Sequence, residues 1–286
     1  MGSTETFLND FFPAAADALK QRAQLWRLLQ PAWLATACPE QQLVLTLPGW
    51  LGGGGATLLL RNPSLLPAQL GGLAVALFGV HRLRGPRHVY LHHSLVLFGL
   101  MNASSILAHA FAQRGTPLWQ AALKADIAFT GASSLCLLLS QLLPAPASLH
   151  AASGAAVACW GVLLALLAAV FRWSAVPWVP EAAYLGTTAL AATATGYSLL
   201  RRWAALSRRQ RGALWPRYAL GALGAAAMLC CLALDSLLCA VGGPWLGTTP
   251  LLFAGSAAGF AAIVLLAGGD GEGAAGAGGG GRSKAD

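Results

Sequence analysis

The near absence of acidic side chains from the middle of this chain is the feature that most constrains its fold. Of ten Asp and Glu residues, only Asp126, Glu181 and Asp235 lie between residues 41 and 267. Charged residues make up 10% of the chain, whereas an ordinary soluble domain carries about 25%. An outer surface with so little charge contacts lipid rather than water, so the sequence predicts an integral membrane protein.

Long apolar runs, separated by basic or Pro-containing loops, predict an all-α, polytopic bundle of transmembrane helices. A helix needs about 20 apolar residues to cross a bilayer. Seven runs approach this length, at about residues 66–83, 91–112, 119–143, 148–171, 181–200, 218–241 and 246–267. An eighth run, residues 43–60, is interrupted by Pro48 and by a run of glycines. It is open to three interpretations: a poor spanning helix, a re-entrant piece or an interfacial segment.

This pattern divides the chain into four parts. Residues 1–42 have apolar side chains at helical spacing, which predicts an amphipathic helix in the membrane interface. Residues 43–65 are the marginal apolar segment, and residues 66–267 form the seven-helix core. Residues 268–286 are nearly all Gly, Ala and charged residues, a composition typical of disorder.

The basic residues predict how the bundle is oriented. Most Lys and Arg of the core lie in its odd-numbered loops, above all in the Arg-rich loop of residues 201–217. The positive-inside bias therefore predicts that this loop and the C-terminus are cytoplasmic. The net charge of +8 has the same explanation, because no basic face with interleaved aromatic residues is present. We expect membrane lipid as a partner and no nucleic acid; protein partners and the identity of the membrane stay open.

Polar side chains interrupt the second predicted span. Asn102, Ser105 and His109 are spaced i, i+3 and i+7, so they lie on one stripe of a helix. Asp126 opens the next span across a short loop. Polar side chains at bilayer depth are costly and usually face a cavity or a partner. The predicted topology places His109 and Asp126 toward one membrane face.

Asp235 lies near the end of the sixth predicted span, toward the same face, and forms an i, i+4 pair with Cys239. The sequence thus predicts one polar pocket, lined by Asn102, Ser105, His109, Asp126, Asp235 and Cys239.

Simpler roles stay open for most of these residues. Asn102 and Ser105 can hydrogen-bond between helices, as small polar residues do in membranes, and His109 can do the same. Asp126 follows Lys124 and can reach the interface by snorkelling. Asp235 is surrounded by Leu and Ala residues, so it requires a partner or a proton.

The spacing of these residues resembles a known family. Ser105-x-x-x-His109, then Asp126 at the head of the next helix, then Asp235-x-x-x-Cys239, is similar to the superfamily of heptahelical membrane hydrolases that includes alkaline ceramidases and progestin/adiponectin receptors. The resemblance implies a zinc ion on three histidines, one in the second helix and two in the seventh. It also implies catalytic roles for Ser105, His109 and Asp126 in hydrolysing an amide or ester, with His109 as a metal ligand.

The chain departs from that pattern in the seventh helix, where residues 246–260 contain no His. A catalytic zinc site normally needs three protein ligands and an open position. We therefore predict a non-catalytic or divergent member, with a polar pocket that binds a lipid or a proton and with no confidently assigned cofactor. One alternative is a metal-dependent lipid hydrolase with unusual ligands. The other is a small transporter or channel in which Asp126, His109 and Asp235 relay protons.

Overall fold

A computed structural model describes residues 42–46, 57–113, 115–176, 178–242 and 248–268, apart from the side chains of residues 42, 45–46, 57–58, 230–240, 242 and 248–249. The amphipathic helix predicted for residues 1–42 and the disordered tail predicted after residue 268 fall almost wholly outside these described residues. The described residues make up the membrane core and the segment that leads into it.

The described part of the chain is dominated by long helices. They are α1 (Leu66–Arg82), α2 (Val89–Ile106), α3 (Pro117–Leu142), α4 (Leu149–Trp173), α5 (Thr187–Ala205), α6 (Arg208–Gly242) and α7 (Thr248–Ala267). Among the residues described, the helical segments at α1, α2, α3, α4 and α7 are long and apolar enough to cross a membrane. The all-α prediction is confirmed, and five of the seven predicted spans are long and apolar enough to cross a membrane.

A π-helical turn extends α2 at its end, and another precedes α5. α2 continues into such a turn over Leu107–Phe111, which carries His109. A second one, Ala182–Gly186, carries Tyr184 and follows a one-turn helix at Trp178–Glu181. π-Helical turns widen the backbone locally and are frequent at functional sites.

The two ends of the marginal segment before the core pair with each other as a β-hairpin. β1 (Gln42–Thr46) pairs antiparallel with β2 (Thr57–Arg61), from Gln42 opposite Arg61 to Thr46 opposite Thr57. The interpretation of residues 43–60 as an eighth spanning helix is therefore wrong. Pro48 and the glycines disfavour a helix through this stretch, and the flanking Leu, Val and Thr residues satisfy their backbone groups by pairing instead.

The hairpin is tied to the end of α2. The guanidinium of Arg61 is buried, and its Nη1 donates a hydrogen bond to the carbonyl of Ala112 at 3.2 Å. Ala112 directly follows the π-helical turn that carries His109. The hairpin therefore contacts the same end of the bundle as His109.

α2 lies between α1 and α3 in antiparallel packing. Gln69 of α1 bonds to Ser105 of α2, and Ser94 of α2 bonds to Ser133 of α3. About 56% of the apolar window of α2 and of α3 is buried, against 22% for α4. α2 and α3 are thus the centre of the bundle, and α4 is mostly exposed on its outside.

Candidate intramembrane polar site

Three fully buried polar side chains meet where α1 contacts α2. The Nε2 of Gln69 donates a hydrogen bond to the Oγ of Ser105 at 2.8 Å. The Nδ2 of Asn102 donates to the carbonyl of Phe98, one turn earlier on α2, also at 2.8 Å. Gln69, Asn102 and Ser105 are all 0% exposed. Two of the residues that the sequence predicted for a pocket, Asn102 and Ser105, are therefore together in the core.

A glycine on α1 provides the space for the Asn102 amide. A Cβ atom at Gly72 would lie 2.5 Å from the Oδ1 of Asn102 and 2.7 Å from its Nδ2. Real Cβ atoms do not approach other atoms so closely. The absence of a side chain at residue 72 therefore lets the amide lie against the α1 backbone.

Asp126 lies at the same depth, on α3. The hydroxyls of Ser94 and Ser133 each donate to the other residue's carbonyl at 2.8 Å, which fixes the register of α2 against α3. Met101 is seven residues after Ser94, and Asp126 is seven residues before Ser133. Two helical turns return a side chain to nearly the same face. Asp126, which is 1% exposed, is therefore level with Met101 on the α3 stripe that faces α2.

Three oxygen atoms of this region have no hydrogen-bond partner among the described residues: Oε1 of Gln69, Oδ1 of Asn102 and Oδ1 of Asp126. The helix registers place them within about four residues of depth, or about 6 Å at 1.5 Å per residue. A buried oxygen without a donor loses about 1–3 kcal/mol of desolvation free energy. The site is therefore a layer of buried polar side chains whose hydrogen-bonding capacity no described residue fills.

Tyr184 approaches Asp126 from the π-helical turn before α5. Its ring is buried in an apolar cluster with Leu123 and Ile127, which flank Asp126 on α3. The backbones are also close, because a Cβ atom at Gly131 of α3 would collide with the carbonyl oxygen of Ala183. The π-helical turn thus forms one wall of the site.

His109 lies farther along the bundle than Asp126. The register of α2 and α3 sets His109 opposite Leu118, eight residues from Asp126. That difference is about 12 Å along the helix axis. His109 is partly exposed and sits in the π-helical turn. Along the helix axis, Asp126 is therefore closer to Ser105 than to His109.

Asp235 and Cys239 belong to α6, but their side chains are outside the described set. Their place in the polar pocket stays a prediction.

The donor atoms of the site do not fit the three-histidine zinc site that the family resemblance implies. Within the described residues there is no group of three or more His, Cys, Asp and Glu side chains that could hold a metal ion. The chain has six histidines in all, and none follows residue 150. The buried groups at this depth are amide, hydroxyl and carboxyl oxygens. We therefore derive no chemical step through a metal.

Gln69 and Tyr184 are the residues that sequence reasoning missed. Gln69 was as visible as Asn102, since both are amides within an apolar span, but its pairing with Ser105 depends on the register of two helices. Tyr184 had no signal of its own, because an aromatic residue at the start of a span is ordinary.

Comparison of the chain with protein-family models, with curated proteins and with solved structures finds no match. The fold and the site therefore define a class: an α-helical membrane protein with an acceptor-rich polar layer buried in its core.

Proposed function

We propose that this chain is a seven-span membrane protein that binds a membrane lipid at the polar layer formed by Gln69, Asn102, Ser105 and Asp126. It would be a non-catalytic or divergent relative of the heptahelical lipid hydrolases. One observation carries the proposal: three buried side-chain oxygens at one depth have no hydrogen-bond partner within the described part of the chain. Ionisable and polar groups at bilayer depth are retained for function by default.

The acceptors specify the chemistry of the lipid. Three oxygens in one layer complement a head group with several O–H or N–H donors, such as the hydroxyls and amide of a ceramide. A phosphatidylcholine head group has no such donor. An apolar cluster that includes Phe98 and Met101 of α2 and Phe253 of α7 borders the layer and suits the hydrocarbon part of the ligand.

The surroundings of Ser105 support binding rather than catalysis. A serine nucleophile needs a general base within hydrogen-bond reach. The Oγ of Ser105 instead accepts a hydrogen bond from the amide of Gln69, and an amide is not a base.

The proposal includes an orientation in the membrane. Arg84, Arg87 and Arg202 all lie at the end of the bundle opposite to the hairpin. The Arg-rich stretch 201–217 lies there too, but it is mostly helical rather than the predicted loop, because α5 ends at Ala205 and α6 begins at Arg208. The positive-inside bias assigns this end and the C-terminus to the cytoplasm. The polar layer is then nearer to the opposite membrane face.

Photolabelling of the purified full-length protein tests the proposal. The probes are photoactivatable, clickable ceramide and phosphatidylcholine. The double variant Gln69→Leu/Asn102→Leu removes two of the acceptors, and we expect it to lower ceramide labelling about tenfold, since each hydrogen bond contributes about 0.5–1.5 kcal/mol. The matched control is Gln120→Leu, which alters an exposed amide on α3 and is expected to label as the wild type does.

Two results would count against the proposal. Equal labelling by ceramide and phosphatidylcholine, unaffected by the double variant, would mean that the layer does not select a donor-rich lipid. Release of free fatty acid from ceramide, abolished by Ser105→Ala but not by Ser104→Ala, would overturn the non-catalytic part. Ser104 is a fair control because its hydroxyl bonds only to carbonyls of its own helix in the described structure, at Leu100 and Met101.

A further inference from the structure

A cavity lies at the start of α2, and His88 in its lining is about 21 Å along the helix axis from Asn102, at 1.5 Å per residue. Its volume is about 440 Å³, which is within the usual range of ligand sites. It opens between the start of α2 and the ends of α3, α5 and α7. The cavity and the polar layer therefore lie at opposite ends of the bundle.

The rim of this cavity is cationic. Arg87 and His88, just before α2, and Arg202, near the end of α5, contribute to its lining, and the lining contains no acidic residue. Among the described side chains, the acidic groups are Asp126 and Glu181, which both lie toward the opposite end of the bundle. The described residues therefore give the cavity a lining that is positively charged overall.

The interior of the cavity adds a buried hydroxyl. Thr195 of α5 lines it and is 7% exposed, and its Oγ1 has no hydrogen-bond partner among the described residues. A cationic rim alone would describe any solvated loop. A buried hydroxyl without a described partner, at the wall of the same cavity, is a second feature that a polar group of a ligand would satisfy.

The other side of the cavity is apolar. Leu91 of α2, Leu199 of α5 and Ile263 and Leu266 of α7 form this wall. A free phosphate ion would gain nothing from such a wall, whereas the glycerol backbone and first acyl carbons of a phospholipid would be buried against it.

We propose that this cavity binds the phosphate head group of an anionic phospholipid. Arg87 and Arg202 pair with the phosphate oxygens, Thr195 donates a hydrogen bond from inside, and the acyl chains leave along the α7 wall. Arginine suits this role because its planar fork of donors matches phosphate geometry. The predicted cytoplasmic side of the membrane carries the anionic lipids, and basic pockets between helices on that side bind such head groups.

Native mass spectrometry of the detergent-solubilised full chain tests the inference. The probes are dioctanoyl phosphatidic acid, dioctanoyl phosphatidylcholine and inorganic phosphate. We expect phosphatidic acid to bind most tightly. Arg202→Gln should weaken this binding about tenfold, as the loss of one charge-assisted contact implies. Arg201→Gln is the matched control, since Arg201 is adjacent but does not line the cavity and lies over the ring of Tyr197.

A second pair of variants covers the case in which Arg202→Gln folds poorly. Arg87→Gln approaches the same phosphate from another segment of the chain, and exposed Arg84 is its control because it lies outside the cavity lining. Equal losses for Arg87→Gln and Arg84→Gln, or for Arg202→Gln and Arg201→Gln, would overturn the site. Inorganic phosphate that binds as tightly as phosphatidic acid would overturn the assignment to a lipid.

Discussion

The two ends of α2 differ in how far the amide and charged side chains around them are buried. At one end Gln69, Asn102 and Asp126 are almost completely buried, and each has an oxygen without a described partner. At the other end Arg87 and Arg202 are exposed around a cavity. In the apolar interior a polar group has its full desolvation cost, whereas at the rim water and salt screen the charges. Substitutions at the buried end should therefore change stability, and those at the rim should change binding alone.

The largest effect is expected at Gly131, where α3 approaches the π-helical turn before α5. A Cβ atom there would collide with the carbonyl oxygen of Ala183. A backbone atom cannot rotate away as a side chain can, so the helix or the turn must move. We expect Gly131→Ala to lower the free energy of unfolding in mixed micelles by about 3 kcal/mol, the upper part of the usual range for overpacking.

Gly154→Ala on α4 is the control for this substitution. Gly154 is exposed, and a Cβ atom there would meet nothing within 4 Å. Alanine favours a helix over glycine by about 1 kcal/mol, so this variant should be as stable as the wild type or slightly more stable. If both variants unfold at the same denaturant concentration, α3 does not contact the π-helical turn as tightly as the structure has it.

A smaller effect is expected at Gly72, where the obstacle is the Asn102 side chain rather than a backbone. We expect Gly72→Ala to lower the free energy of unfolding by about 1–2 kcal/mol and also to reduce ceramide labelling, because the amide is displaced from the polar layer. Gly71→Ala is a closely matched control, since a Cβ atom at Gly71 would meet nothing within 4 Å.

Shortening the partner side chain sharpens this prediction. The double variant Gly72→Ala/Asn102→Ala should recover part of the stability lost in Gly72→Ala, because the steric conflict is gone. Additive losses in the double variant would show that the two residues do not contact each other.

The sequence was a good guide to the helices and a poor guide to their contacts. The predicted spans 66–83, 119–143 and 148–171 agree with α1, α3 and α4 to within two residues at each end. Their length and apolarity determine both the helix and its limits, since a bilayer core requires internally satisfied backbone groups. Hydropathy is a weaker guide to α5, because its Thr residues together with Arg201 and Arg202 leave it short of the apolarity that crossing requires.

The site was harder to predict because it depends on register. Ser105 and Asp126 were found as polar residues in apolar spans. The pairing of Gln69 with Ser105, and the room that Gly72 makes for Asn102, become visible only once α1 and α2 are aligned. The hairpin was missed for a related reason. Its short strands, residues 42–46 and 57–61, are apolar enough to resemble a spanning run, and only their pairing distinguishes them.

The smallest change in stability is expected at the cationic rim. Arg202 is exposed, and substitutions at such surface positions usually change the free energy of unfolding by less than about 0.5 kcal/mol. Without added lipid, Arg202→Gln should therefore unfold at the same denaturant concentration as the wild type. With saturating phosphatidic acid the wild type should become more stable, because a ligand that binds only the folded state shifts the unfolding equilibrium, and Arg202→Gln should gain much less at the same lipid concentration. If Arg202→Gln is already destabilised without lipid, Arg202 contributes to stability as the buried polar groups do. The distinction between the two ends of α2 would then be lost.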